Sequence, residues 1–113
     1  MTFDELVLAI SNSDALKHAA QNMGFLFRWK SSTDDVQHLV QNMNKFLMVN
    51  EFEREALEEL KGYWDAFKAA SIDNIHGMTM NERLNQFGLF PKFDNSKNKT
   101  RQDRIYAKLM AHR

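Results

Sequence analysis

The sequence contains no cysteine, four glycines and a single proline. Without cysteine, a disulfide scaffold, a thiolate zinc site and a cysteine nucleophile are excluded, and this composition is typical of a reducing cytosol. No two glycines stand close enough together for a phosphate-binding loop. No apolar run approaches the roughly 20 residues of a membrane span, and the N-terminus lacks the pattern of a signal peptide. We therefore expect a cytoplasmic protein.

The chain is nevertheless rich in the residues that build a core. Its 113 residues are 43% hydrophobic and include nine phenylalanines, two tryptophans and seven methionines, which is sufficient for one core without disulfides or a structural metal. Helix start and stop signals recur along the chain. The sequence therefore predicts an all-α fold: a single compact domain, residues 1–113, of five or six short-to-medium helices.

The limits of these helices follow from apolar spacing and from capping residues. Thr2 with Glu5 and Thr79 with Glu82 form possible capping boxes. Gly24 and Gly88 are expected to end helices in the left-handed conformation. The predicted helices cover residues 3–10, 14–23, 34–47, 51–70, 80–87 and 101–112, with Ser13, Asn50 and Thr100 as further caps.

One stretch is ambiguous. Phe25, Phe27 and Trp29 alternate with other residues as in a strand, but the chain offers no evident partner strand. We favour an apolar connector here, which is either buried in the core or an exposed patch.

Charge divides along the chain although the net charge is zero. Residues 1–75 hold 12 acidic and 7 basic side chains, and residues 76–113 hold 3 acidic and 8 basic ones. Two interpretations stay open: the acidic and basic segments attract each other within one fold, or they form surfaces for partners.

Two charge clusters are candidate binding surfaces. Acidic residues favour the first turns of a helix, so the simplest interpretation of the acidic cluster is a helix face exposed to solvent. The more specific interpretation is an acidic surface that attracts a basic protein. The basic segment has aromatic residues interleaved and could follow a phosphate backbone, although a sequence pI of about 6.9 is low for a nucleic-acid-binding domain. The acidic cluster is Glu51, Glu53, Glu55, Glu58 and Glu59, and the basic candidates are Lys97, Lys99, Arg101 and Arg104.

The sequence gives little indication of catalysis or of metal binding. The histidines His18, His38, His76 and His112 include no pair at i,i+4 spacing, so no helix offers a two-histidine metal face. No nucleophile elbow or other catalytic motif is present. We expect no metal, no cofactor and no enzymatic activity.

The segment M-T-M-N-E-R-L at 78–84, followed by Gly88-Leu89, Phe93-Asp94 and Asp103-Arg104, resembles a segment of small uncharacterised bacterial proteins. The resemblance covers residues 78–110. Some proteins of that kind stand beside antibacterial toxin systems as candidate immunity proteins. The resemblance implies a small protein-binding module that neutralises a toxin. A nucleic-acid-binding or regulatory protein that uses the basic segment is the alternative.

Overall fold

The computed structural model describes residues 1–112, which fold into helices without any β-strand. This confirms the all-α prediction. The structure divides the chain more finely than the sequence pattern suggests, because three elements of one turn or little more separate the longer helices: Lys17–Ala20, Gly24–Phe27 and Phe90–Asp94. The helices within residues 1–112 are α1 (Phe3–Ser11), α2 (Lys17–Ala20), α3 (Gly24–Phe27), α4 (Val36–Val49), α5 (Arg54–Ser71), α6 (Met80–Phe87), α7 (Phe90–Asp94) and α8 (Lys99–Lys108), with short 3₁₀ helices at Trp29–Ser31 and Ile75–Gly77.

Capping chemistry explains where α1 and α6 begin. The Thr2 hydroxyl accepts a hydrogen bond from the backbone of Glu5, whose carboxylate accepts one from the Thr2 backbone, so the predicted capping box is confirmed. Thr79 likewise accepts from the Glu82 backbone N–H at 3.1 Å. Gly88 ends α6 with φ of 67°, the left-handed conformation that glycine adopts at little cost.

Two predicted caps are wrong. The Asn50 side chain donates to the Phe46 carbonyl at the end of α4, so α5 begins later, at Arg54, without a side-chain cap. Helix α8 is capped by Asn98, whose side chain accepts from the Thr100 N–H at 2.8 Å. In both places the polar residue that the sequence suggests as a cap lies outside the position that the backbone path makes the start of the helix.

The segment around Gly24 also differs from the prediction. Gly24 opens α3 instead of ending a helix over residues 14–23, and Gly88 is the one glycine with positive φ in the described chain. Met23, Leu26 and Trp29 are fully buried, and this spacing of three residues is helical. The ambiguous stretch is therefore a helical connector that lies in the core, and it leaves the Phe27 side chain 37% exposed.

Aromatic rings from four segments meet at the centre of the core. The Trp29 ring lies 5.2 Å from the ring of Phe3 and 5.4 Å from that of Phe87, measured between centroids. Phe67 of α5 contacts the same two phenylalanines, at 5.9 and 5.6 Å. The N-terminal helix, the connector, α5 and α6 thus share one core, which makes the chain one domain.

A buried arginine holds the end of α8 against α6. The Arg83 guanidinium donates to the carbonyls of Leu109 and Met110 at 3.0 and 2.8 Å, and to that of Met78 at 3.2 Å. Carbonyls at a helix C-terminus have no partner within the helix, and a cation there also complements the helix dipole. Arg83 is therefore a structural residue of this fold.

Gly88 provides a test of this account of the fold. A Cβ atom at Gly88 would lie 2.5 Å from Asp4 Oδ2 and 2.6 Å from Lys30 Nζ, in addition to the strain of a positive φ. We expect Gly88→Ala to lower the free energy of unfolding by about 1–2 kcal/mol. Urea unfolding followed by tryptophan fluorescence measures this change.

The matched control is Gly62→Ala in α5. Nothing lies within 4 Å of a Cβ atom at that position, so alanine should raise the stability by about 0.5–1 kcal/mol through its higher helix propensity. Equal effects of the two substitutions would contradict the different roles assigned to these glycines.

Candidate functional site

Within residues 1–112, the acidic and basic segments do not neutralise each other through ion pairs. All ion pairs between described residues lie within residues 1–75 and connect Asp4 with Lys30, Asp35 with His38 when that histidine is charged, Arg54 with Glu58, and Lys68 with Asp73. None joins the acidic segment to residues 76–112. Among residues 1–112, ion pairs therefore do not account for the charge division, and both charged segments are candidates for surfaces that meet partners.

The predicted acidic cluster separates into two kinds of residue. Glu51, Glu53 and Glu55 are exposed and form no ion pair with any residue in the range 1–112. Glu58 is exposed as well, but its carboxylate pairs with Arg54 one turn earlier, at 3.0 Å. We call these four glutamates, Glu51, Glu53, Glu55 and Glu58, the acidic surface.

Glu59 has an internal role instead. Its Oε1 accepts hydrogen bonds from the Ser13 hydroxyl at 2.7 Å and from the Tyr63 hydroxyl at 2.9 Å. The hydrogen bond to this carboxylate raises the pKa of Tyr63. Glu59 thus fastens the connection between α1 and α2 to α5, and its carboxylate is less available to a partner than those of the acidic surface.

Exposed apolar side chains border the acidic surface at the end of α4. Met48 is 84% exposed and Val49 is 67% exposed; we call this pair the apolar edge. Val49 also lines a shallow depression of about 250 Å³ together with Phe25 and Phe46. Met48 falls off the helical spacing of the buried residues Leu39, Met43 and Phe46, which is the sequence signal for its exposure. Val49 keeps that spacing, three positions after Phe46, and is exposed because α4 ends there.

A groove connects the acidic surface to α2. It has a volume of about 480 Å³, and Asp14 and His18 line it opposite Glu51, Phe52 and Glu53. Sequence reasoning did not place Asp14 and His18 here, because they lie more than 30 positions before the glutamates and only the folded chain brings them together. Carboxylates beside an aromatic ring provide an environment that favours a basic side chain of a partner.

The basic candidates lie on both sides of the first turns of α8. Arg101 and Arg104 line a depression of about 410 Å³ between α7 and α8, and Lys92 of α7 joins them there. Lys99 lines a second depression, of about 400 Å³, with Tyr106. Lys97, in the connection between these helices, is exposed. Lys92 belongs to the basic segment of the sequence but not to the predicted site residues, because its proximity to the two arginines depends on the turn between α7 and α8.

Residues 1–112 hold no group of three or more histidine or acidic side chains placed to bind a metal ion. None of the helices in this range combines the length and the apolar character that a bilayer crossing requires.

Lys108 is the most strongly perturbed titratable group of the described chain. Burial lowers its pKa from 10.5 to about 8, since removal from water disfavours the charged amine. The Nζ atom donates to the carbonyls of Ser32 and Asp34 at 2.8 and 2.6 Å and lies 4.2 Å from the centre of the Trp29 ring. Its hydrogen bonds are used to hold the loop before α4, so a structural role accounts for this amine.

The chain matches no protein-family model, no curated protein and no solved structure. Its function must therefore be inferred from its own surfaces.

The Lys108 amine makes stability depend on pH in a defined direction. Between pH 8 and 10.5 the unfolded chain binds this proton more tightly than the folded chain does, so the contribution of Lys108 to stability rises with pH across that interval. Across this interval, we expect the free energy of unfolding of the wild type to rise by about 1–2 kcal/mol relative to that of Lys108→Met. A tenfold change in proton affinity corresponds to about 1.4 kcal/mol, and solvent screening reduces the full effect.

Urea unfolding of both proteins at several pH values measures this difference. The control is Lys61→Met, because Lys61 is exposed and its replacement should produce no trend with pH. A Lys108 difference that stays constant or falls between pH 8 and 10.5 would contradict the role given to burial.

Proposed function

We propose that this chain is a cytoplasmic protein-binding module and, more concretely, an immunity protein that binds and neutralises a bacterial toxin. The observation that carries the proposal is the acidic surface beside the apolar edge. Three of its glutamates, Glu51, Glu53 and Glu55, are exposed without an ion pair to any described residue, and Met48, three positions before Glu51, is 84% exposed.

This combination of charge and apolar area suits a protein partner. Exposed carboxylates repel one another and attract a basic surface, which raises the rate of association and selects the partner. Exposed apolar side chains gain free energy when a partner covers them. The acidic surface would accordingly attract a basic toxin during the encounter. The apolar edge would add buried contact area once the two proteins have met.

Neutralisation by such a module needs no chemistry on its own part. A toxin that acts on a polyanion or an anionic substrate must present basic residues, and an acidic surface can cover them. The resemblance of residues 78–110 to segments of candidate immunity proteins supports the same function. In that segment, Thr79, Gly88 and the buried Phe87 have folding roles, and we place the toxin contacts outside it.

Capture of the partner is the first experiment. The tagged chain is used to isolate its partners from the source cells, with and without nuclease, and bound proteins are identified by mass spectrometry. A stoichiometric protein that survives nuclease supports the proposal when the purified protein loses its toxic or enzymatic activity on addition of the chain. Absence of any such protein would contradict it.

The acidic surface should be required for that complex. Glu51 and Glu53 precede α5 and neither caps it by a side-chain hydrogen bond, so Glu51→Lys/Glu53→Lys should leave the fold intact. We expect the affinity for the captured partner to fall at least about tenfold, mainly through a slower association rate, and the effect to shrink at high salt. Surface plasmon resonance at two salt concentrations measures both quantities.

The matched control is Asp65→Lys/Asp94→Lys, which changes the net charge equally at two exposed positions that form no ion pair with a described residue. It should bind almost as the wild type does. Equal losses in the two variants would show that net charge, and not the acidic surface, governs association.

The apolar edge gives an independent check. Met48→Ser removes a side chain that is 84% exposed and should cost the folded chain little. We expect it to speed dissociation of the complex a few-fold without changing the association rate, because loss of apolar contact acts after the encounter. Unchanged dissociation would remove the apolar edge from the interface.

A further inference from the structure

The basic end of the chain carries features that the toxin complex does not require. Lys92, Arg101 and Arg104 come from two helices and line one depression, with Pro91 and Ile105 in its wall. On the other side of α8, Lys99 and Tyr106 line a second depression. The exposed Lys97 lies in the connection that leads into α8.

These cations exceed the acidic side chains beside them: Asp103 shares the second depression with Lys99, and within residues 1–112 the Lys92 amine donates only to the Lys30 carbonyl, at 3.2 Å. None of the five, Lys92, Lys97, Lys99, Arg101 and Arg104, forms an ion pair with another described residue. Lys99 and Arg101 lie in the first turn of α8, and that turn contains no acidic residue. The helix dipole disfavours cations at this end, and like charges on neighbouring turns repel. Asp103, one turn after Lys99, offsets part of this charge, and a bound anion would relieve the remaining repulsion.

Aromatic surface accompanies the positive charge. The rings of Phe93 and Tyr106 contact each other edge to face at 5.8 Å and join α7 to α8. Tyr106 also lines the second depression beside Lys99. An aromatic ring next to a phosphate-binding cation suits an unpaired base, whose face is free for stacking, whereas the bases of a duplex are already stacked.

We propose that the basic end, from α7 across the first turn of α8, binds the phosphate backbone of single-stranded nucleic acid. The strand lies in the depression lined by Lys92, Arg101 and Arg104, passes Lys97, and reaches Lys99 and Tyr106 on the other side of α8. Arginine pairs with phosphate oxygens through two parallel hydrogen bonds. Recognition of this kind reads the backbone and not the base sequence.

This activity is independent of the acidic surface. The two surfaces involve different helices, with opposite charge, and loss of toxin binding would leave nucleic-acid binding unchanged. The variants of the acidic surface are therefore controls for nucleic-acid binding, and the variants of the basic end are controls for toxin binding.

The direct test is fluorescence anisotropy of the full chain with labelled single-stranded RNA and DNA of about 20 nucleotides. Binding should weaken steeply with salt: three to five phosphate contacts predict a slope of about −2 to −3.5 in a plot of log K against log salt concentration. A duplex of the same sequence should bind several-fold more weakly.

The variant Arg101→Gln/Arg104→Gln removes two of the contacts. It should reduce the magnitude of the salt slope by about 1.4 and weaken binding at least about tenfold at low salt. The matched control is Lys17→Gln/Lys61→Gln, which removes two exposed cations elsewhere. It should leave the slope unchanged. Circular dichroism checks that both variants retain the helical fold.

Several results would overturn the proposal. Absence of binding at about 50 mM salt would do so, as would equal weakening by the control variant. Displacement of the strand by polyglutamate at the same charge concentration would identify an acidic protein segment as the ligand instead. Equal affinity for single strands and duplex would remove the stacking role of Tyr106 and with it the assignment to unpaired strands.

Discussion

The contact of Trp29 with Phe3 and Phe87 is the interaction on which the rest of the structure depends. These rings come from the first helix, the connector and α6, so they join parts of the chain that differ in charge and lie far apart in sequence. The Trp29 indole N–H donates to the Asp35 carbonyl at 3.1 Å, which orients the ring and the start of α4. The apolar core unites the acidic and basic segments, and the amines of Lys92 and Lys108 assist it by donating to backbone carbonyls of the acidic segment.

This arrangement explains why the two charged surfaces stay exposed. Stability comes from aromatic and aliphatic burial and from two structural cations, Arg83 and Lys108, which bind backbone carbonyls. Among the described residues, neither the carboxylates of Glu51, Glu53 and Glu55 nor the cations at the start of α8 form ion pairs. The chain therefore presents two surfaces of opposite charge that can bind partners. A partner that binds one surface need not disturb the core.

Local chemistry made much of this fold predictable, and long-range contacts account for the remainder. The Thr2 capping box and the left-handed Gly88 depend on a few neighbouring residues, and the sequence identifies them correctly. Gly24 was misassigned because the burial of Leu26 and Trp29 continues a helical path through it. The exposure of Glu51 and Glu53 follows from their sequence, but the use of Glu59 by Ser13 depends on a contact across 46 positions. For the same reason, the sequence places Lys92 in the basic segment but does not show that it shares a depression with Arg101.

The loop contact of Lys108 has a consequence for how the chain is made. Its amine closes over the Trp29 ring and bonds the carbonyls of Ser32 and Asp34, more than 70 positions earlier. During synthesis on the ribosome, the pocket around Trp29 stays open until Phe87 and then Lys108 have left the exit tunnel. Until then the nascent chain exposes the Trp29 ring, so this part of the core forms only after Lys108 has emerged, 79 positions after the tryptophan.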